Sequence, residues 1–186
     1  LSICVAYFMQ FFNGNRLILM QYISSFGPVA GPLPAILILG TMPSTRSLER
    51  KRYYGHERNH FWPVMAALLD ETLPGRYEAR LVMLKRHSVA LWDVAGSCTR
   101  SGSRDGSIKN VRPNDIPAFL NAHPTIGTVV FNGQTARKLY DRFFERIKNV
   151  VYLTLPSTSP IPTRQCRNLE EKIKAWESLA LYLPRR

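Results

Sequence analysis

The stretch AILILGTMPS at residues 35–44 indicates the fold most clearly, because an unbroken apolar run ends abruptly in glycine, proline and hydroxyl residues. Three further apolar runs end in a polar or glycine cluster in the same way: residues 89–92 before Asp93, residues 128–131 before Asn132-Gly133, and residues 150–155 before PSTSP. Patterns typical of helices separate most of these runs, which favours a parallel sheet in an α/β fold. Ligands bind beyond the carboxyl ends of such strands, so we expect the polar clusters to converge on one site.

Hydrophobic periodicity and capping residues predict five helices, over residues 61–69, 77–86, 114–122, 134–147 and 168–182. The stretch 96–112 is rich in Ser, Gly and Arg, and it is predicted to be a long loop. Loops of this length in compact domains are usually functional or disordered.

The charge of the chain favours a polyanionic partner. Its 25 Lys and Arg against 13 Asp and Glu give a formal net charge of +12 over 186 residues, a length that suits one domain. Basic residues gather in the stretches 46–58 and 100–112, where they can neutralise phosphates. A basic but unrelated enzyme, and a merely solvated surface, stay open as alternatives on charge alone.

The cysteines and the N-terminal residues carry little functional signal. Cys4, Cys98 and Cys166 are far apart and form no CxxC pair, so we expect no metal and a reducing cytoplasm. The apolar run 3–12 is too short to span a bilayer, and no basic segment precedes it as in a signal peptide. We therefore expect residues 1–30 to be an extension, either poorly ordered or translated from upstream of a start at Met20.

The segment YYGHERNHFW at residues 53–62 is the most unusual in the chain, with four aromatics, two His and one Asn in ten residues. Aromatic faces beside imidazole and amide groups are what a nucleobase pocket needs for stacking and for reading a base edge. Tyr54, His56 and Asn59 are therefore candidate base-site residues. The alternative is the entry to a helix, with Phe61 and Trp62 in the core.

Two proline-stiffened clusters offer hydroxyl groups. GTMPS lacks the glycine spacing and the lysine of a phosphate-binding loop, but Ser44 can offer a hydroxyl and a backbone N–H. PSTSP holds Ser157, Thr158 and Ser159 between two prolines. Such loops suit the positioning of a nucleic-acid backbone, although either motif alone is weak.

Taken in order, GTMPS, YYGHERNHFWPVM, ALWDVAGSCTRSGSRDGSIKN, VVFNG and LPSTSP resemble the uracil-DNA glycosylase superfamily, and within it the hypoxanthine-DNA (DNA-deoxyinosine) glycosylases. HERNHFW is also similar to the HPxNRFW stretch of the mismatch-specific uracil and thymine glycosylases. The resemblance implies a three-layer αβα domain over residues 31–186 with a central four-stranded parallel sheet. It also implies monofunctional excision of a flipped, deaminated base from DNA, without a cofactor.

Two positions depart from the superfamily pattern. Met42 stands where many members have an Asp or Asn that orients water, and Leu155 stands where a His often stabilises the leaving base. The resemblance then implies that Asn59 is the catalytic residue. A non-catalytic nucleic-acid-binding module on the same fold is the alternative, and the charge argues against a third option, a small-molecule nucleotide hydrolase.

Contacts to the base and to DNA follow from the resemblance for Phe61, from strand-end chemistry for Asp93 and Asn132, and from charge for the basic residues. Phe61 is expected to stack on the base. Asp93 is expected to accept from the N1–H of hypoxanthine, and Asn132 to donate to O6. The alternatives are that Asp93 caps a helix or loop and that Asn132 is a turn residue. Arg104 and Lys109 are expected to contact phosphates. We expect a monomer acting on duplex or single-stranded DNA in the cytoplasm, at the nucleoid in a prokaryote, with no membrane contact.

Overall fold

A computed structural model of the protein describes residues 8–13, 16–100, 108–162 and 166–184. The elements in chain order are β1 (Phe8–Asn13), β2 (Arg16–Ser24), β3 (Ile36–Gly40), α1 (Thr45–Arg50), α2 (Phe61–Leu68), α3 (Tyr77–Arg86), β4 (Val89–Asp93), β5 (Ala95–Thr99), β6 (Lys109–Pro113), α4 (Ile116–Ala122), β7 (Thr128–Asn132), α5 (Gln134–Phe143), β8 (Val151–Leu155) and α6 (Leu169–Trp176). A 3-10 turn, Glu177–Tyr182, continues α6.

The central sheet has four parallel strands, as predicted, and their order is β4-β3-β7-β8. Its register brings the strand ends together, with Gly40 beside Asp93 and Asn132 beside Leu155. Because β3 is covered on both faces, all of its residues are buried, and its sequence is a continuous apolar run.

Helices cover both faces of this sheet. Ile36 and Ile38 of β3 pack in a core with α2, α3 and α6, whereas Leu37 and Leu39 pack on the other face with α4 and α5. This alternation follows from the two-residue period of a strand. The predicted three-layer αβα architecture is therefore confirmed.

A second, antiparallel sheet with the order β1-β2-β5-β6 lies outside the sequence prediction. The expectation of one long loop over 96–112 is wrong, since β5 and β6 occupy eight of the ten residues of that stretch that the structure describes. Their residues are mostly small or polar, so no apolar run marked them as strands; long-range pairing forms them. Residues 101–107, which include Arg104, lie outside the described residues.

Part of the expected N-terminal extension contributes to this sheet. Residues 22–24 of β2 pair antiparallel with residues 97–99 of β5. The domain boundary at residue 31 stays a prediction.

Helix ends also differ from the sequence reading. α5 ends at Phe143, four residues early, where Phe144 turns extended, although Ile147 still packs against the core. α1 was not predicted, because the six-residue helix has no apolar stripe.

The central core should dominate stability. Leu84 on α3 is fully buried in the α2–α3–α6 core, so Leu84→Ala should lower the free energy of unfolding by about 2–5 kcal/mol. Leu181 is 84% exposed, and Leu181→Ala should stay within about 0.5 kcal/mol of the parent. Urea unfolding followed by circular dichroism measures both, and equal losses would contradict this assignment of the core.

Candidate active site

The carboxyl ends of β3, β4 and β7 form the floor of the candidate site. β3 lies between β4 and β7, so Gly40 separates Asp93 from Asn132. The loops that follow β3 and β8 contribute Tyr54 and Thr158, which both bind Asn132. The convergence expected from the strand-end clusters is therefore present for these groups.

The side-chain amide of Asn132 is the centre of this arrangement. Its Oδ1 accepts a hydrogen bond from the backbone N–H of Thr158 at 2.9 Å. Its Nδ2 donates to the Thr158 hydroxyl and to the Tyr54 hydroxyl, both at 2.8 Å. Asn132 is 8% exposed and Thr158 is fully buried, so both donors of the amide are engaged inside the protein.

Tyr54 lies over Phe61 and fills the space next to Asn132. The two rings are stacked, with centroids 3.9 Å apart and planes inclined by 17°. Phe61 is fully buried, with Trp62 and Trp176 packed edge-on against it, so Tyr54 covers the face that was expected to meet a base. Tyr54 adopts a left-handed backbone conformation with φ of 51°, which is uncommon for a residue with a side chain.

Asp93 lies across the end of β3, and the absence of a side chain at Gly40 makes this possible. A Cβ atom built on Gly40 would be 2.3 Å from Asp93 Oδ1 and 3.3 Å from the Tyr54 hydroxyl. Asp93 is 4% exposed, and its Oδ2 accepts a hydrogen bond from Ser25 Oγ at 2.8 Å. The carboxylate is therefore fixed beside the place that the Tyr54 hydroxyl occupies.

Tyr53 ties this floor to the chain before β3. Its hydroxyl donates to the carbonyls of Phe26 and Gly27, each at 3.1 Å. Burial, and secondarily the nearby charge of Asp93, raises the pKa of this hydroxyl well above its usual range, so it remains a donor.

Asn59 and His56 line a cleft on the outer side of Tyr54. Asn59 Oδ1 accepts from the backbone N–H of Phe61 at 2.9 Å, at the start of α2. His56 Nδ1 accepts from the backbone N–H of Arg58 at 3.1 Å, which places the proton of a neutral ring on Nε2. Both side chains are half-buried and open to this cleft.

The hydroxyl residues take different positions. Ser44 caps α1 by accepting from the N–H of Ser47 at 3.2 Å. Ser157 and Ser159 are half-buried and brace their own loop through accepted backbone hydrogen bonds. Thr158 is fully buried, and its hydroxyl accepts a hydrogen bond from Asn132. Lys109 is exposed on β6.

Both departures from the expected pattern are buried apolar residues. Met42 packs with Ala95 and Cys98 between the two sheets. Leu155 is 8% exposed, and its carbonyl accepts from the N–H of Gly133. Gly133 has φ of 99°, and a Cβ there would lie 3.0 Å from Ser157 Cβ, so the close passage of this loop needs glycine.

A buried cation beneath the PSTSP loop was missed by sequence reasoning. Lys172 on α6 is fully buried, its ammonium donates to the Ser159 carbonyl, and burial lowers its pKa. Burial, and next the charge of Lys172, lowers the pKa of His60, whose backbone N–H donates to the Thr158 carbonyl at 2.9 Å. A lysine in LEEKIKAW is typical of an exposed helix face, so no local pattern indicates this contact.

Within the described ranges, no group of three or more His, Cys, Asp or Glu side chains could hold a metal ion. No helix in that same part of the chain is long and apolar enough to cross a membrane.

Comparisons with known proteins identify the family of this chain. The family model of the uracil DNA glycosylase superfamily matches residues 28–180. A hypoxanthine DNA glycosylase of Methanosarcina acetivorans is 33% identical over 147 residues, 77% of this chain and 89% of that protein. A hypoxanthine DNA glycosylase of Methanosarcina barkeri is 36% identical over 110 residues, 59% of this chain and 70% of that protein.

The fold has a solved counterpart as well. The solution NMR structure of a Methanosarcina acetivorans protein with a proposed uracil DNA glycosylase activity superposes with a TM-score of 0.73. It is 29% identical, and the match covers 86% of this chain and 96% of that one. The chain belongs to the uracil DNA glycosylase superfamily, so the resemblance seen in its motifs is confirmed. It is a DNA glycosylase, a hydrolase of N-glycosyl bonds, and DNA is its substrate.

The space left by the missing side chain of Gly40 should be required for base release. In Gly40→Ala the new Cβ displaces the Asp93 carboxylate, and misplacing a group at the reacting centre by about 1 Å costs on the order of 10²-fold in rate. Gly27→Ala is the matched control, because its Cβ would meet nothing within 4 Å. Single-turnover base release from a lesion-containing duplex measures both; equal rates in the two variants would contradict the role given to this floor.

Proposed function

We propose that this enzyme removes hypoxanthine from DNA, with uracil as a weaker second substrate. The observation that carries the proposal is the arrangement across Gly40, with the Asp93 carboxylate on one side and the Asn132 amide on the other. An acceptor and a donor flanking a bare floor match the N1–H and O6 of hypoxanthine. Adenine presents the reverse pattern, and the names of the two archaeal relatives support the same choice.

Entry of a base requires Asn132 to exchange partners. Both Nδ2 hydrogens are engaged, one by Thr158 and one by the Tyr54 hydroxyl. A carbonyl such as O6 would replace the Tyr54 oxygen, while Thr158 keeps the amide oriented. The base then stacks either on Phe61, after Tyr54 has moved, or on the outer face of Tyr54. Both options use Tyr54 or Phe61, the two aromatic residues that the sequence analysis predicts for the site.

Cleavage of the N-glycosidic bond passes through an oxocarbenium-like sugar. The electron pair of the C1′–N9 bond leaves with the base, and a water oxygen bonds to C1′. The proton that this water loses passes to solvent, and the base anion takes up a proton from solvent. We assign Asn59 to the orientation of this water, since Met42 supplies no polar group. The second lone pair of Asn59 Oδ1 can accept a hydrogen of the water, while the first accepts from the Phe61 N–H. Phosphates flanking the flipped nucleotide help to stabilise the sugar cation.

The remaining assignments rest on charge and burial. Lys109, Ser44, Ser157 and Ser159 are proposed to contact the DNA backbone, and the net charge of +12 supports an extended contact. For Thr158 we now propose the orientation of Asn132 in place of a phosphate contact. We further propose a monomer in the cytoplasm that acts on duplex DNA, with single strands as a second form of substrate.

Asn59→Ala should reduce base release by roughly 10²–10³, by analogy with the loss of one preorganised polar group. It also removes the bond to the Phe61 N–H, so Asn59→Asp is the control, because a carboxylate keeps an acceptor for both the backbone and the water. We expect the Asp variant to remain active and both variants to bind DNA. If single-turnover release by Asn59→Ala stays within about threefold of the parent, the assignment is wrong.

Asp93→Asn should lower hypoxanthine release, because the amide accepts without a charge and can also present its N–H groups to the N1–H. Adenine should be excluded by roughly 10⁴ in the parent enzyme, since it would leave buried polar groups unpaired. The measurement compares deoxyinosine and deoxyadenosine duplexes for both proteins. A variant that keeps the parental rate and the parental ratio would show that Asp93 does not read the base.

A further inference from the structure

Tyr54 lines a cleft of about 290 Å³, and neither Asp93 nor Asn132 contributes to its walls. Its walls come from residues 50–59, the first turn of α2, and the segment 73–80 at the start of α3. Tyr54 and Asn59 belong both to this cleft and to the proposed base site. A group bound in the cleft would therefore be a direct neighbour of the flipped nucleotide.

The cleft is strongly basic. Arg50, Arg52 and Arg80 line it, and Glu57 is the one acidic residue among the lining side chains. Glu57 pairs with Arg50. Arg52 and Arg80 form no ion pair with any part of the chain that the structure describes. Two guanidinium charges thus remain uncompensated in a small concave space.

Aromatic rings hold these two guanidinium groups in place. The Arg52 guanidinium lies 5.3 Å from the centroid of Tyr77, and that of Arg80 lies 5.9 Å from the centroid of Trp62. Arg80 also donates from Nε to the Pro74 carbonyl at 2.7 Å. A guanidinium oriented by stacking loses little further entropy when it binds an anion.

The rings are themselves fixed to one residue of the base-site segment. The backbone N–H of Tyr53 donates to the Tyr77 hydroxyl at 2.9 Å, and Trp62 Nε1 donates to the Tyr53 carbonyl at 3.2 Å. Tyr53 directly precedes Tyr54, so the cleft and the proposed base site share a rigid support. A ligand in the cleft would be held in a set position relative to the base.

We propose that this cleft binds the phosphate group of a nucleotide adjacent, in the same DNA strand, to the flipped one. Guanidinium groups match phosphate oxygens in geometry and charge, and the cleft is too small for a second duplex. The inference rests on the proposed base-excision function. It predicts a role in affinity and register, because the two guanidinium groups bind the phosphate equally in the ground state and in the transition state.

The test uses the double variant Arg52→Gln/Arg80→Gln in the full chain. The matched control, Lys138→Gln/Arg142→Gln, removes the same charge from exposed positions of α5, where Arg142 also stacks on an aromatic ring. Binding of an uncleavable lesion duplex is measured over a range of salt. Loss of one phosphate contact should flatten the log–log slope by about 0.9 in the cleft variant relative to the control. Equal slopes would overturn the proposal.

Shortened substrates locate the phosphate. These duplexes carry the lesion at one strand end, so that the phosphate on its 5′ side or the one on its 3′ side is missing. On one of the two sides, loss of the phosphate should weaken binding to the parent. With that substrate, the cleft substitutions should have no further effect on binding. If the cleft substitutions weaken binding equally whichever phosphate is missing, the proposal is wrong.

Titration with inorganic phosphate and a 5′-deoxynucleoside monophosphate tests a free nucleotide as the source of the bound phosphate. The parent could bind one of these two ligands tightly, and the cleft variant could lose that binding but still bind DNA as the parent does. That result would also overturn the assignment of the phosphate to the DNA strand.

Single-turnover release at saturating DNA separates this inference from the proposed function. The cleft variant should stay within about threefold of the parent, as expected when only uniform binding is lost. A parent protein that releases no hypoxanthine would refute the proposed function, while the salt slopes would still decide the role of the cleft. Thermal unfolding checks that both double variants are folded.

Discussion

The buried amide of Asn132 is the interaction on which the candidate site depends. It joins the end of β7 to the PSTSP loop through two bonds to Thr158, and to the segment after β3 through the Tyr54 hydroxyl. A buried amide left without partners costs about 1–3 kcal/mol per group, so the loops are held where they satisfy it. The same amide is the group that we propose to read a base, and under that proposal a substrate competes with an internal hydrogen bond.

Glycines set the shape of the space around this amide. Gly40 leaves room for the Asp93 carboxylate across the strand end, and Gly133 lets the loop after β8 pass close to the chain. A parallel sheet brings its strand ends to one edge, but side chains there would normally fill the edge. With no side chain at Gly40, an acceptor at Asp93 and a donor at Asn132 lie on the two sides of β3.

Aromatic and basic residues then divide the site into an inner and an outer part. Tyr54 separates the buried polar groups at the strand ends from the basic cleft beside α3. Under the proposed function, burial makes the inner part selective, because unpaired polar groups are costly there. The outer part keeps uncompensated guanidinium charge near solvent, where it attracts a polyanion and depends on salt. One segment, residues 53–62, supports both parts.

The sequence by itself determined the parallel sheet, most of its helices and the convergence of Asp93, Asn132 and the 53–62 segment, because apolar periodicity and strand-end clusters are local signals. It did not reveal β5 and β6, whose polar residues form strands only by pairing with segments that are distant in the sequence. Nor did it reveal that Thr158 faces Asn132, that Tyr54 covers Phe61, or that Lys172 is buried. Those contacts join residues far apart in the chain, or depend on backbone angles such as the left-handed turn at Tyr54, and only the packed tertiary structure decides them.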